Sequence, residues 1–161
     1  MNLRPLTPDD AEAYVALRRA MLLDAPHAFL SSPEDDRGSK VEEVRERLAS
    51  EGDDVTYGVF AQELCGAVGL HRERHEKAAH KVLVWGMYVA PKRRQEGLGR
   101  QLLEAVVAHA RGLDGVSQLC LSVSEAAPEA RRLYEAVGFH VWGPSRGPCA
   151  SKAGCWTRFT S

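Results

Sequence analysis

Met87-Tyr88-Val89-Ala90-Pro91-Lys92-Arg93-Arg94-Gln95-Glu96-Gly97-Leu98-Gly99-Arg100 begins as a strand, breaks at a proline and passes through a basic, glycine-bearing turn. Beyond it Leu98, Leu102, Ala105, Val106, His109 and Ala110 recur at helical spacing as far as Gly112. A strand that feeds a helix start in this way predicts an anion site. The first backbone N–H groups of the helix lack intrahelical acceptors, and the helix dipole adds about half a positive charge there. Gly97 and Gly99 keep Cβ atoms away from a ligand, and Lys92, Arg93, Arg94 and Arg100 make a cationic rim suited to pyrophosphate. The turn is neither of two familiar phosphate loops. Gly99 is followed by Arg100-Gln101 where a Walker loop has Lys-Ser/Thr, and Leu102 stands where a dinucleotide fingerprint has its third glycine. A basic helix start with glycines chosen for packing is the alternative reading.

Upstream, Asp54 to Ala61, Leu64 to Leu70 and Val82 to Val89 are rich in β formers and predict an antiparallel meander. Thr7 as N-cap and Pro8 at the first helical position open an earlier helix, whose expected apolar face is Ala13, Tyr14, Leu17, Ala20 and Met21. A second helix runs from Val41 to about Ala49, after a loop-like stretch from Asp24 to Lys40. Downstream, Leu119, Leu121 and Val123 alternate as a strand, Pro128 to Val137 is a helix closed by Gly138, and Phe139-His140-Val141-Trp142 starts another strand. The order β-α-α-β-β-β-α-β-α-β predicts one domain over residues 1–161, an α/β (α+β) mixed sheet flanked by helices.

The 161 residues carry 21 Lys+Arg against 22 Asp+Glu, a net charge of -1, which argues against a nucleic-acid wrapper. No apolar run approaches the ~20 residues that span a bilayer, and the opening MNLRPLTPDD lacks the apolar core of a signal peptide, so a cytoplasmic protein without membrane partner is expected. Cys65 and Cys120 lie in apolar, strand-like stretches as small buried hydrophobes. His71 and His75 would point to one face of a strand about 13 Å apart, too far to share an ion, and no metal site is predicted.

A second constellation, Ala130-Arg131-Arg132-Leu133-Tyr134-Glu135-Ala136-Val137-Gly138-Phe139, narrows the reading. Together the two segments resemble the GNAT superfamily of acyl-CoA-dependent N-acyltransferases. Its phosphate-loop signature, Arg/Gln-x-x-Gly-x-Gly/Ala, is matched by Arg94, Gly97 and Gly99. Its later helix, Ala-x-x-Leu-Tyr-x-x-x-Gly-Phe, is matched by Ala130, Leu133, Tyr134, Gly138 and Phe139. The resemblance runs from Leu3 to about Gly143.

The resemblance implies a mostly antiparallel central sheet in which the strand before the loop splays from the next, parallel strand, leaving a gap for the pantetheine arm of acetyl-CoA. It implies that backbone amides of Gln95, Glu96, Gly97, Leu98, Gly99 and Arg100 hold the pyrophosphate, with Arg94 of the signature also a cofactor-binding residue, and that backbone groups of Met87 and Val89 hold the pantetheine amides. Tyr88 is a packing residue. The implied reaction is direct attack of a neutral amine on the thioester, with a backbone N–H stabilising the oxyanion and Tyr134 protonating the leaving thiolate. A phenol near ~10 and a thiol near ~8.5 are close enough for that transfer. The base stays open, because Val82 to Met87 hold no carboxylate or histidine: a water chain to His71, Glu73, His75 or Glu125 would serve, or the amine arrives neutral. Ala127 departs from the Asn that relatives often use on the cofactor. The substrate is expected from the side of the Asp24 to Pro33 loop, where Asp24, His27, Glu34, Asp35 and Asp36 would suit a cationic amine, and of the final hairpin; a solvated loop is the alternative reading of those charges. The implied partners are acetyl-CoA and an amine acceptor, for a monomer or homodimer without nucleic acid. An acyl-CoA sensor without turnover is the alternative.

Ser145 to Ser161 shows little alternation, unlike the family's usual ending. Back-translated with GC-rich codons and read two nucleotides later, it gives a string resembling that ending, so a frameshifted tail is expected. The opposing reading is a genuine tail with Cys155-Trp156-Thr157-Arg158-Phe159 as the last strand.

Overall fold

The computed structural model describes residues 1–26, 32, 34–124, 127–144 and 153–159. The chain opens with β1 (Asn2–Pro5), α1 (Ala11–Asp24) and α2 (Val41–Ala49), then makes the meander β2 (Val55–Phe60), β3 (Leu64–Arg72) and β4 (Lys81–Val89). It continues through α3 (Leu98–Arg111), β5 (Gln118–Ser124) and α4 (Pro128–Val137) to the hairpin β6 (His140–Pro144) and β7 (Ala153–Phe159). One sheet results, ordered β1-β2-β3-β4-β5-β7-β6, with every neighbouring pair antiparallel except β4 and β5.

Each face of the sheet buries one apolar layer. Val59, Val68, Val82, Leu119 and Leu121 pack with Leu98, Leu102 and Val106 of α3 and Tyr134 and Val137 of α4. On the other face Leu6, Ala67 and Tyr88 meet Ala11, Tyr14, Leu17 and Met21 of α1 and Val44 of α2. Capping fixes how α1 enters. The Asp10 carboxylate accepts the Thr7 N–H at 2.8 Å and is clamped by the Arg4 guanidinium at 2.7 and 2.9 Å. The buried stripe is Ala11, Tyr14, Leu17, Met21 and Leu22, whereas Ala13 and Ala20 are exposed, against expectation. At 3.6 residues per turn both alanines lie about a third of a turn from the middle of the stripe, and the larger side chains, with more apolar area to bury, decide the rotation.

α4 stops where Gly138 adopts φ 100°, with the Phe139 N–H bonded back to the Tyr134 carbonyl at 2.9 Å. That reversal drops Phe139 into the core, its ring edge-on to Tyr134 at 6.0 Å. At the chain's end β7 pairs with β5 from Gln118↔Phe159 to Ser124↔Ala153, so a last strand forms where the genuine-tail reading put it, reaching back to Ala153. Backbone pairing does not require side-chain alternation, which is why the sparse pattern conceals it. Residues 145–152 lie outside the described residues.

The feature that positions the site is the parting of β4 from β5. They pair at Lys81↔Gln118, Val82↔Leu119 and Leu83↔Cys120 and no further, although β4 runs on to Val89 and β5 to Ser124. Against β3, β4 carries one extra residue: Ala67 faces Tyr88 while Gly69 faces Trp85. The bulge coincides with Gly86, whose φ of 61° a side chain would strain. A bulge bends and twists its strand, so the second half of β4 leaves its parallel neighbour.

Candidate active site

Beyond the bulge, the Ala90 N–H donates to the Cys65 carbonyl at 2.8 Å, which fixes which edge of β4 faces β3. By alternation Met87 and Val89 present their backbone groups to the opposite edge, the one that has lost β5. The chain then turns at Pro91 and reaches Gln95 (φ 66°) and Gly97 (φ 78°). Such interspersed left-handed residues gather successive N–H groups into an anion-binding concavity. None of the N–H groups from Gln95 to Arg100 donates to a backbone carbonyl among the described residues; helical bonding starts with Gln101 N–H on Gly97 at 3.1 Å.

The two glycines have different duties. Gly97 is required by its positive φ, and a Cβ there would meet nothing within 4 Å. A Cβ on Gly99 would instead lie 3.0 Å from Leu133 Cδ2 and 3.2 Å from Met87 Cε. Gly99 therefore serves the approach of α3 to α4 and β4 rather than the ligand space expected of it. This contact gathers Met87, Val89, Gly99 and Leu133, the neighbour of Tyr134, at one place.

The cationic rim is largely spent on internal pairs. Arg94 Nε donates to the Val89 carbonyl at 3.0 Å, and its Nη2 pairs with the Asp24 carboxylate at the end of α1. Arg100 pairs with Glu104 at 2.9 Å, and Arg93 with Glu96 at 3.7 Å. The Tyr88 hydroxyl donates to the same Asp24 carboxylate at 3.1 Å, and burial, reinforced by that carboxylate, pushes its phenol up to about 12. Tyr88 is buried and packs against α1, as expected. Lys92 makes no ion pair among the described residues, and it and the free amides are what the turn still offers an anion.

Tyr134 is buried in the cluster that holds Leu98, Leu121 and Val123. Burial pushes its phenol up to about 12, so it keeps its proton through the neutral range. Its hydroxyl makes no hydrogen bond among the described residues.

The acidic loop expected to greet a cationic amine is mostly neutralised. Asp24 is held by Arg94 and Tyr88, and Asp36 is buried against Arg18 at 3.1 and 3.2 Å. Asp35 accepts the Ser32 N–H at 2.6 Å, Glu34 is exposed, and His27 and Pro33 lie outside the described residues.

Sequence reasoning missed a cavity of about 380 Å³ on the α2 side of the sheet, bordered by Arg47, Asp54, His71, Leu83 and Trp85. Trp85 lies so close over Gly69 that a Cβ there would stand 2.1 Å from the indole. The Arg47 guanidinium stacks on the same indole at 4.9 Å and on Tyr14 at 5.1 Å. His71 Nδ1 is 2.8 Å from the Asp54 carboxylate. Of His71, Glu73 and His75, only His71 borders this cavity; Glu125 lies outside the described residues. The available signal was the meander itself, since register places His71 opposite Leu83.

A family model described as Acetyltransferase (GNAT) family matches residues 16–139. The mycothiol acetyltransferase of Thermobispora bispora is 36% identical over 151 residues, covering 88% of this chain and 47% of the relative. The chain thus spans about half the length of the curated relatives it first matches. A GNAT-family acetyltransferase from Streptococcus pneumoniae superposes with a TM-score of 0.82 at 19% identity, over 98% of both chains. The yncA protein of Salmonella typhimurium, solved with its cofactor acetyl-CoA, gives 0.77 at 19% identity over 100% of this chain and 94% of its own. At those identities the likeness is one of fold.

Proposed function

The chain belongs to the acetyltransferase (GNAT) family, and from that premise we propose that it moves the acetyl group of acetyl-CoA onto a primary amine of a small molecule, peptide or protein by direct attack. One observation carries the reading: β4 parts from β5 after Leu83↔Cys120, directly upstream of the unsatisfied amides at Gln95 to Arg100. A strand-shaped gap that ends at an anion-binding turn fits an extended arm with a diphosphate at its end.

In this reading the amides of Gln95, Glu96, Gly97, Leu98, Gly99 and Arg100 grip the diphosphate, and Met87 and Val89 pair with the arm. Arg94 holds the start of the turn through Val89 and Asp24. Tyr134 is the acid that protonates the leaving thiolate. Its raised pKa does not defeat that role, because the apolar surroundings that disfavour a phenolate also disfavour a thiolate. A cytoplasmic monomer or homodimer completes the proposal. Among the described residues no helix is long and apolar enough to cross a membrane.

Isothermal titration with acetyl-CoA, followed by thiol release over a panel of amines, tests it. Saturable binding with amine-dependent release supports acetyl transfer. Binding without release on any amine favours the sensor, and absence of binding overturns the site.

A further inference from the structure

We propose that the cavity between α2 and the first half of β4 receives the acceptor amine and that His71, held by Asp54, takes its proton; this rests on the acetyl-transfer reading above. The gap between β4 and β5 opens beyond Leu83↔Cys120. His71 stands directly opposite Leu83 on the neighbouring strand, and both border the cavity. Side chains opposed across an antiparallel pair lie about 5 Å apart at Cβ. The imidazole is therefore on the strand next to the one that borders the vertex of the gap, and in this proposal the proton of an amine there reaches it through water in the cavity.

The tautomer follows from the partners. An ionised carboxylate only accepts, so at 2.8 Å from Asp54 Oδ2 the His71 Nδ1 carries the hydrogen. Nε2 is left with its lone pair, and it has no hydrogen-bond partner among the described residues. Asp54 is fixed in turn, its Oδ1 accepting the Arg72 backbone N–H at 2.9 Å. A base oriented by a fixed carboxylate is the arrangement that proton abstraction needs. The proton balance closes: a neutral amine attacks the thioester, its nitrogen loses H⁺ to Nε2 as the C–N bond forms and the C–S bond breaks, Tyr134 gives its proton to the leaving thiolate, and the proton released by the imidazolium to solvent restores the Tyr134 phenol. The charged groups around His71 are Asp54 ahead of β2 and Arg47 from α2. Arg47 is cationic and Asp54 anionic, so the cavity wall carries no net charge that would hold the incoming amine as an ammonium.

His71→Gln and Asp54→Asn test this in the full chain, with acetyl-CoA and a panel of anionic, neutral and cationic primary amines. Thermal melts and acetyl-CoA titration first establish that both variants fold and bind as the parent does. His71→Gln is expected to lower kcat by about 100-fold or more and to erase the acid-side limb of the kcat/KM pH profile. Asp54, a positioning residue, is tested by Asp54→Asn, which lowers the rate less and displaces that limb. If the parent turns over and His71→Gln keeps its rate and profile, the assignment of His71 is wrong while acetyl transfer stands. If the parent releases thiol with none of the panel amines, both readings fall. If His71→Gln does not fold, an Asp54→Asn profile identical to the parent's refutes the pair.

Discussion

The two halves of β4 make opposite uses of the same strand. From Lys81 to Leu83 it is paired on both edges, and its side chains Leu83 and Trp85 shape a cavity against α2. After the bulge at Gly86 its backbone takes over, offering an unpaired edge that leads into a turn of free amides. Side chains define one half and main chain defines the other. A site built from backbone tolerates most side-chain changes and fails at positions where conformation is exacting, whereas a site built from side chains fails one residue at a time.

The largest effect should come from Gly97→Val, which forces a branched side chain into φ 78° and into the ligand space. Acetyl-CoA affinity should fall by more than about 100-fold by titration calorimetry, a loss of ~2.7 kcal/mol or more. Gly97→Asn tolerates that backbone conformation, so a comparable loss there isolates blocked ligand from strain. Unchanged affinity in both would move the diphosphate elsewhere.

Tyr134→Phe should lower kcat by about 100-fold while acetyl-CoA affinity holds, measured by steady-state thiol release and calorimetry. Equal loss of both would make Tyr134 structural. The same residue has a stability signature. Its phenol is pushed up from 10.0 to about 12 by burial, so the folded chain holds a proton that the unfolded chain has lost between those values. Stability from this group is complete below pH 10 and drains away as pH rises toward 12, and Tyr134→Phe should flatten that part of a melting-temperature profile.

Gly99→Val should act on packing, because its Cβ would crowd Leu133 and Met87. Overpacking predicts a cost of about 1–3 kcal/mol in denaturant unfolding. A stable variant that had only lost acetyl-CoA would return Gly99 to the ligand side. The smallest effect, about 1 kcal/mol, is expected for Asp10→Asn, which weakens the cap at α1 far from either half of β4. Arg4, with help from Thr7, holds the Asp10 carboxyl down to about 2 from 3.8. Its stabilisation is present above pH 4 and lost as pH falls toward 2, so the substitution should remove that acid-side decline from chemical denaturation curves.

The backbone half was legible because local rules write it. Strand, proline, positive-φ glycine and helix start follow within 14 residues, from Met87 to Arg100, and none needs a distant partner. The Gly138-Phe139 stop was legible for the same reason. The rotation of α1 was misread because equal-looking apolar residues compete for one face, and the sheet they meet decides among them. The pairing of Arg94 with Asp24, 70 positions apart, and of His71 with Asp54 across β3 and β2 left no local trace. The role of Gly99 needed Leu133 from another helix to be visible.

By itself the sequence determined the order of elements, the family and the glycine-bearing turn at the start of α3, since these depend on periodicity, capping and conformations that single residues either permit or forbid. The tertiary structure alone decided where β4 leaves β5, which cations remain free for a ligand, and that a histidine and an aspartate share a cavity with Trp85. Those outcomes depend on register and on competition between charges brought together by folding, and neither is encoded within the span of one element.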